Sequence, residues 1–404
     1  MKKKTLPRRR FLSLTGGGIV LAATGATAGC AQNPFSMPAD AISAWREPSE
    51  SLSLGHWVLS HALLAPNPHN RQPWRVSLPG EHEIHLSLDP DRLLPHTDPF
   101  GRQILIGTGA FIELLSMAAA QRGYQAQVTL FPKGAFEATR KTADFDDRPV
   151  AHIRLVEDQT VQANPLFAYV FDRHTERGMY DRSRAIPAQM SDGLNTITSE
   201  PSVTGGIAHR SGQQEALTRR VFDIAKQAWA IELKTPHTMM ESVELLRVGA
   251  GEISEYRDGI SITDPMLVMI DKLGLFDRAT PPDPDGSVVA GQIDEFNEAI
   301  DSTPGIFWLN TRDNSRVSQI AAGRAYMHAQ LLATSLGLVM QPISQALQEY
   351  PEMAKPFDSV QKSLKADPQT GPTVQMMCRI GYLAASTQST GPSPRRGLDA
   401  HLQA

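Results

Sequence analysis

Two stretches of this chain run from glycine to glycine over the same span: Gly109–Gly123 (GAFIELLSMAAAQRG) and Gly323–Gly337 (GRAYMHAQLLATSLG). Both are dense in apolar and small residues around most of a helical turn, the pattern of a helix buried on several sides rather than along one stripe. The closing glycine of each suits the left-handed position just past a helix C-terminus. Each stretch is also flanked by strand-like runs. Glu83–Leu88 and Ala126–Phe131 bracket the first, and Gly305–Asn310 and Val339–Ile343 bracket the second. A strand–buried helix–strand unit written twice predicts an α+β fold of two related halves, residues 31–160 and 161–404. Asp98-Pro99-Phe100-Gly101-Arg102 precedes the first helix and reads as a turn with an anchoring residue.

The N-terminal 30 residues read as an export signal. Arg8-Arg9-Arg10-Phe11-Leu12 fits the twin-arginine pattern, and the Gly/Ala-rich run from Leu12 to Ala28 is too short to span a membrane. Nothing later is expected to span one. Ala26-Thr27-Ala28 offers a signal-peptidase site and Thr27-Ala28-Gly29-Cys30 a lipoprotein box, so the expected location is the periplasm, free or anchored through Cys30. Cys378 is the only other cysteine; it lies in the strand-like run Thr373–Ile380 and reads as a buried packing thiol. The net charge is −4 with no basic block after the signal, which argues against nucleic acid as a partner. His56, His61, His69, His82 and His85 share no metal-ligand spacing, and no G-x-S-x-G is present. No metal and no serine hydrolase is expected.

The chemistry concentrates in two places. In Ala65-Pro66-Asn67-Pro68-His69-Asn70-Arg71-Gln72-Pro73-Trp74 the prolines pin the backbone, and the amides of Asn70 and Gln72 present donors and acceptors suited to the edge of a flat heterocycle. In Arg173-His174-Thr175-Glu176-Arg177 two guanidiniums and a hydroxyl occupy alternate positions, which face one way on an extended segment and suit a phosphate. The first run resembles the P-S-x-x-N-x-Q-P-W signature of the nitroreductase family, whose members bind FMN at a subunit interface. The second resembles that family's R-x-S-x-R element, which grips the FMN phosphate. Pro201-Ser202 stands 28 positions after Arg173, where the family signature belongs, but without its Asn, Gln and Trp. The first half has no arginine element near Trp45-Arg46-Glu47. Pro342-Ile343-Ser344-Gln345 resembles the family's P-I-x-G turn near the flavin, with Gln345 in place of Gly. Arg379-Ile380-Gly381-Tyr382 followed by Pro394-Arg395-Arg396 resembles its C-terminal strand and basic pair.

The resemblance covers most of residues 40–400 and is strongest to the two-domain, Acg-type members. It implies an intrachain pseudo-dimer with one composite FMN site intact and the other degenerate. Arg173, Thr175 and Arg177, helped by Arg395 and Arg396, are expected at the phosphate. Asn70 and Gln72 are expected at the isoalloxazine edge, with Asn67, Pro342 and Ser344 beside it. Asn67 and Pro68 replace small hydroxyl residues of the family. No catalytic side chain is assigned. The implied activity is reduction of a nitro compound, a quinone or a similar acceptor. NAD(P)H is not expected in the periplasm, which leaves a membrane quinol or a redox partner protein as donor. The alternative is a protein that binds or sequesters FMN without turnover. A single chain holding the whole site is expected to be a monomer. The Pro/Asp-rich stretch Ala279–Gly286 is a long loop, either a lid or a surface connection.

Overall fold

A computed structural model describes residues 33–197, 202–366 and 371–403. The twin-arginine segment, Cys30 and Pro201 lie outside these. Contacts divide the chain into Met1–Asn33 and Pro34–Ala404, and the second unit holds every sheet and every helix of the described residues.

Helix α1 (Leu54–Ala62) leads to the first sheet. The hairpin β1 (Trp74–Gly80) and β2 (Glu83–Leu88) is followed by the long helix α2 (Arg102–Gln121), then β3 (Tyr124–Leu130) and β4 (Ala151–Glu157). β2 and β4 alternate as half-buried strands should: Ile84, Leu86 and Leu88, and Ala151, Ile153 and Leu155, point inward. The second part opens with α3 (Ala188–Ile197) and β5 (Val203–His209). An insertion follows: α4 (Glu215–Lys234), α5 (Pro236–Glu244), β6 (Leu246–Val248), α6 (Gly249–Tyr256), β7 (Ile260–Ile262), α7 (Pro265–Lys272) and α8 (Ser287–Asp301). The sheet resumes with β8 (Gly305–Thr311), the long helix α9 (Arg316–Ser335), β9 (Val339–Pro342), α10 (Ala354–Ser363) and β10 (Thr373–Gly381).

Beside the short parallel pair β6-β7, two four-stranded sheets share one topology. Their orders are β1-β2-β4-β3 and β5-β8-β10-β9, all neighbours antiparallel. In each, the second strand feeds a 20-residue helix, the third strand takes an edge, and the fourth returns between the second and third. β10 is buried at every position, as befits a central strand covered on both faces. It holds Cys378, buried as expected, with burial pushing the thiol pKa up.

The repeated helices pack on each other at their opening glycines. A Cβ on Gly109 would lie 3.0 Å from Gly323 Cα, and one on Gly323 would lie 2.9 Å from Gly109 Cα; each would also overlap a backbone carbonyl, of Ile320 and Ile106 respectively. Only glycine allows backbones this close. Gly123 (φ 76°) and Gly337 (φ 70°) end the helices in the left-handed conformation. Asp98 is the anchor of α2, its carboxylate accepting the Gln103 and Ile104 N–H groups at 3.2 and 2.9 Å. α2 is long and apolar enough to cross a membrane, unlike what the sequence suggested, but it is the core helix, 83% buried. The C-terminal tail crosses back to the first sheet, where Val76 and His401 pair through a 2.8 Å backbone hydrogen bond.

Candidate functional site

Two buried arginines meet under Trp45. Arg173 is 2% exposed and donates through Nη1 to Gln330 Oε1 of α9 (2.7 Å) and through Nη2 to Leu64 O (2.9 Å). Arg395, 3% exposed, donates through Nε to Leu63 O (2.7 Å), through Nη2 to Leu64 O (3.0 Å) and Ala65 O (3.2 Å), and through Nη1 to Asn70 Oδ1 (2.9 Å). Leu64 O accepts from both guanidiniums; it stands just past the C-terminus of α1, the negative end of that helix's dipole. The two guanidinium carbons lie 5.2 and 5.0 Å from the Trp45 ring centroid. Neither guanidinium has a carboxylate partner among the described residues. Burial pushes the Arg173 pKa down to about 10, and burial followed by the Arg173 charge pushes that of Arg395 well below its usual value. Arg173 Nε is buried and has no hydrogen-bond partner.

The rest of the arginine element is laid along β9. Thr175 bridges Met340 in parallel, and Glu176 N donates to Met340 O at 3.2 Å. The expected common face for Arg173, Thr175 and Arg177 is not observed. Arg173 is buried, Thr175 half-buried and Arg177 exposed, while the intervening Glu176 is fully buried. Glu176 turns inward because the tail supplies donors: Ser389 Oγ at 2.6 Å and Thr390 N at 2.9 Å. Burial opposes ionisation, but these bonds and those from His174 and Gly178 hold its carboxyl well below the usual range. The Arg177 guanidinium makes no hydrogen bond or ion pair among the described residues. Its backbone carbonyl accepts from Arg379 Nη2 at 2.6 Å, so the R-x-G-Y arginine braces this turn. β9 ends at Pro342, which pairs with Cys378, and the 3-10 turn that follows opens at Ser344, whose Oγ lies 3.8 Å from Met376 Sδ. A cavity of about 40 Å³ beside this seam, lined in part by His174, Gln330 and Met340, has room for a water or two.

The Asn67–Gln72 loop faces the arginine pair from the first half. His69, Asn70 and Gln72 take left-handed φ values of 48°, 50° and 48°, an unusual density for residues other than glycine. The side-chain amides hold this shape. Asn67 Oδ1 accepts from Gln72 N at 2.7 Å, and Asn70 Nδ2 donates to Pro394 O at 3.0 Å. Gln72 accepts from Arg396 N at 2.9 Å and donates to Arg257 O at 2.9 Å. The last contact comes from the insertion, which also sends Gly259 N to Asn70 O (3.3 Å) and Ser242 Oγ to His69 Nε2 (3.2 Å). Burial first, then the charges of Arg71 and Arg177, lowers the His69 pKa to about 4.

The structure thus gathers Arg173, Arg395, Asn67, Asn70 and Gln72 in one cluster, with Thr175, Pro342 and Ser344 on the adjoining sheet edge. Arg396 faces the other way, toward Arg92 and Asp258, because successive residues of an extended segment point to opposite sides. The sequence reading missed Trp45, Gln330 and the α1 carbonyls, which carry no motif. It also missed the insertion turn at Arg257–Gly259. The loop Ala279–Gly286 lies elsewhere, tied to α4 by Lys234–Asp285 at 2.8 Å.

No family model matches the chain. The chain nonetheless belongs to the nitroreductase family. It is 44% identical over 338 residues to Acg of Mycobacterium tuberculosis, a provisionally named NAD(P)H nitroreductase, covering 84% of this chain and 92% of that protein. A second provisionally named NAD(P)H nitroreductase of the same organism is 26% identical over 349 residues, covering 84% of this chain and 88% of the relative. Among solved structures, the nitroreductase-like family protein from Bacillus cereus aligns with a TM-score of 0.32 at 12% identity, over 60% of this chain and 96% of that one. The FMN-dependent nitroreductase NfnB from Mycobacterium smegmatis aligns with a TM-score of 0.31 at 17% identity, over 57% and 92%.

Proposed function

We propose that this chain binds FMN where the two sheets meet, in an intrachain pseudo-dimer, and passes electrons to a nitro compound, a quinone or a similar acceptor. Family membership and the names of the relatives support the class of reaction. One observation carries the location: Arg173 and Arg395 are buried side by side with no acid among the described residues to neutralise them. Buried charges are costly unless paired. A phosphate would supply the missing anion, and the unpartnered Nε of Arg173 is a donor aimed at that need. Thr175 and the exposed Arg177 extend the same segment. The bound flavin would supply the hydride and electron chemistry, while the chain binds, orients and shields it. Asn70 and Gln72 would meet the ring by exchanging the partners they hold on the tail and the insertion, with Asn67, Pro342 and Ser344 shaping the surroundings.

A second reading, flavin sequestration without turnover, is favoured by the insertion. Ser242, Arg257 and Gly259 all hydrogen-bond the Asn67–Gln72 loop, which is the closed arrangement a storage protein needs. In either reading the twin-arginine segment directs the protein to the periplasm, where a membrane quinol or a redox protein is the donor. One chain completes the site, so the working form is a monomer. Neither a metal nor nucleic acid has a part.

The test is a visible spectrum of the purified full chain, then anaerobic dithionite reduction and reoxidation by a nitroaromatic or a quinone. Flavin that reduces and passes its electrons on supports the oxidoreductase; flavin that does not react onward supports sequestration. Arg173→Ala with Arg177→Ala is expected to abolish copurifying flavin. Full retention would refute the phosphate assignment.

A further inference from the structure

On the far side of the tail, Asp258 plugs a socket of guanidiniums. Its side chain is 3% exposed. Oδ2 sits 2.8 Å from Arg92 Nη1 and 3.7 Å from Arg71 Nη1, and Oδ1 sits 2.8 Å from Arg247 Nε. Arg396 faces the same group, and its Nη1 is buried without a hydrogen-bond partner. A further acid, Asp89, is engaged by Arg75 at 2.8 Å and reaches Arg92 Nε at 3.5 Å. Four guanidiniums therefore face one buried carboxylate and a share of a second.

The socket and its plug belong to different parts of the fold. Arg71, Arg92 and Arg396 come from the first half and the tail. Arg71 Nε donates to Arg92 O at 3.3 Å and Arg92 Nη1 to Arg71 O at 3.1 Å, so the socket is braced by itself. Asp258 comes from the insertion, at a turn between α6 and β7 with left-handed φ at Arg257 (51°) and Gly259 (68°). That turn also supplies the Arg257 carbonyl to Gln72 and the Gly259 N–H to Asn70.

We propose that Arg71, Arg92 and Arg396 form a binding site for the phosphate or carboxylate of a small anionic ligand, and that Asp258 stands in for that anion. Surplus half-buried positive charge and an unused donor are what a single carboxylate leaves behind and a further anion completes. An arriving anion displaces the Asp258 turn and withdraws both of its hydrogen bonds from the Asn70–Gln72 loop. Anion binding and release of the insertion from that loop are thereby one event.

Calorimetric titration of the full-length protein with inorganic phosphate, and separately with succinate, tests this. The expected result is saturable binding of at least one of them at one per chain. Affinity falls tenfold or more in Arg92→Ala and in Arg396→Gln, and rises tenfold or more in Asp258→Asn, which removes the competing charge and keeps its shape. Phosphate alone binding assigns the site to phosphoryl ligands, and succinate alone to carboxylates. No saturable binding, or equal affinity in all variants, overturns the proposal. Loss of flavin from Arg92→Ala also overturns it, by assigning the cluster to the cofactor, and leaves the flavin reading intact.

Discussion

Arg102 and Arg316 each stand seven residues before the crossing glycines, Gly109 and Gly323, and each reaches into the opposite part of the fold. Arg102 donates to Val374 O of β10 at 3.1 Å and pairs with Glu349 at 3.1 Å. Arg316 donates to Phe100 O at 2.6 Å and to Glu137 O at 2.8 Å. Each guanidinium lies over a phenylalanine of the part it enters, Phe357 at 5.4 Å and Phe145 at 5.5 Å. The likeness of the two repeats therefore extends past the helices to the arms that tie the sheets together.

The crossing itself sets the first prediction. Gly109→Ala or Gly323→Ala pushes a methyl into a backbone carbonyl that has nowhere to retreat, and overpacking of this kind costs about 3 kcal/mol. Gly291→Ala in α8 meets no atom within 4 Å, and relief of glycine's helix penalty should stabilise by roughly 0.5–1 kcal/mol. Urea denaturation of the three variants should give two losses and one gain.

Arg173 and Arg395 should separate binding from stability. Arg173→Met removes two hydrogen bonds but also a desolvated cation, so the flavin-free protein should change by no more than about 1 kcal/mol while flavin binding is lost. Arg395→Met strips the Leu63 and Ala65 carbonyls of their donor and should cost about 3 kcal/mol besides. Thermal melts of flavin-stripped protein, read beside cofactor content, check both.

Glu113 makes the fold sensitive to acid. Its carboxylate joins α2 to α9 through His328 Nε2 and Arg324 Nε, both at 2.6 Å. Burial opposes the charge, yet the His328 hydrogen bond and the Arg324 charge outweigh it and lower the pKa to about 2. A depressed carboxylate pKa stabilises above its unfolded value and loses that contribution as pH falls. About 3 kcal/mol should disappear between roughly pH 5 and 2. Glu113→Gln should be less stable at neutral pH and should show a flatter acid limb.

Glu232 acts with the opposite sign. It is buried on α4, and among the described residues its carboxylate accepts one hydrogen bond, from Gln348 Nε2 at 2.8 Å. Burial, then the neighbouring Glu241 charge, raises its pKa to about 7. A raised carboxylate pKa leaves stability whole below the unfolded value and erodes it as pH rises through 7. Glu232→Gln should therefore gain up to about 3 kcal/mol at pH 8 and nothing at pH 4. Equal gains at both pH values would show that charge is not the cause.

What the sequence disclosed was periodic or paired. β2 falls on Glu83–Leu88, the strand-like run ahead of the first repeat helix, and both repeat helices end at their glycines. The insertion between β5 and β8 was invisible because a repeat displays only what its copies share. At the site, the arginines were legible as charges in a motif, but their burial was not. Their partners are the carbonyls of Leu63, Leu64 and Ala65, which every sequence possesses. The alternation expected from Arg173 to Arg177 failed for a related reason. Glu176 is drawn inward by Ser389 and Thr390, over two hundred residues away.

Two residues join β1 to β2, whereas 95 separate β5 from β8, the matching pair of the other sheet. In an isologous dimer any such growth appears twice, once per subunit. A chain that carries both sheets escapes that duplication. Its elaboration is written once, between β5 and β8, so within the chain a substitution in the added segment acts in single dose.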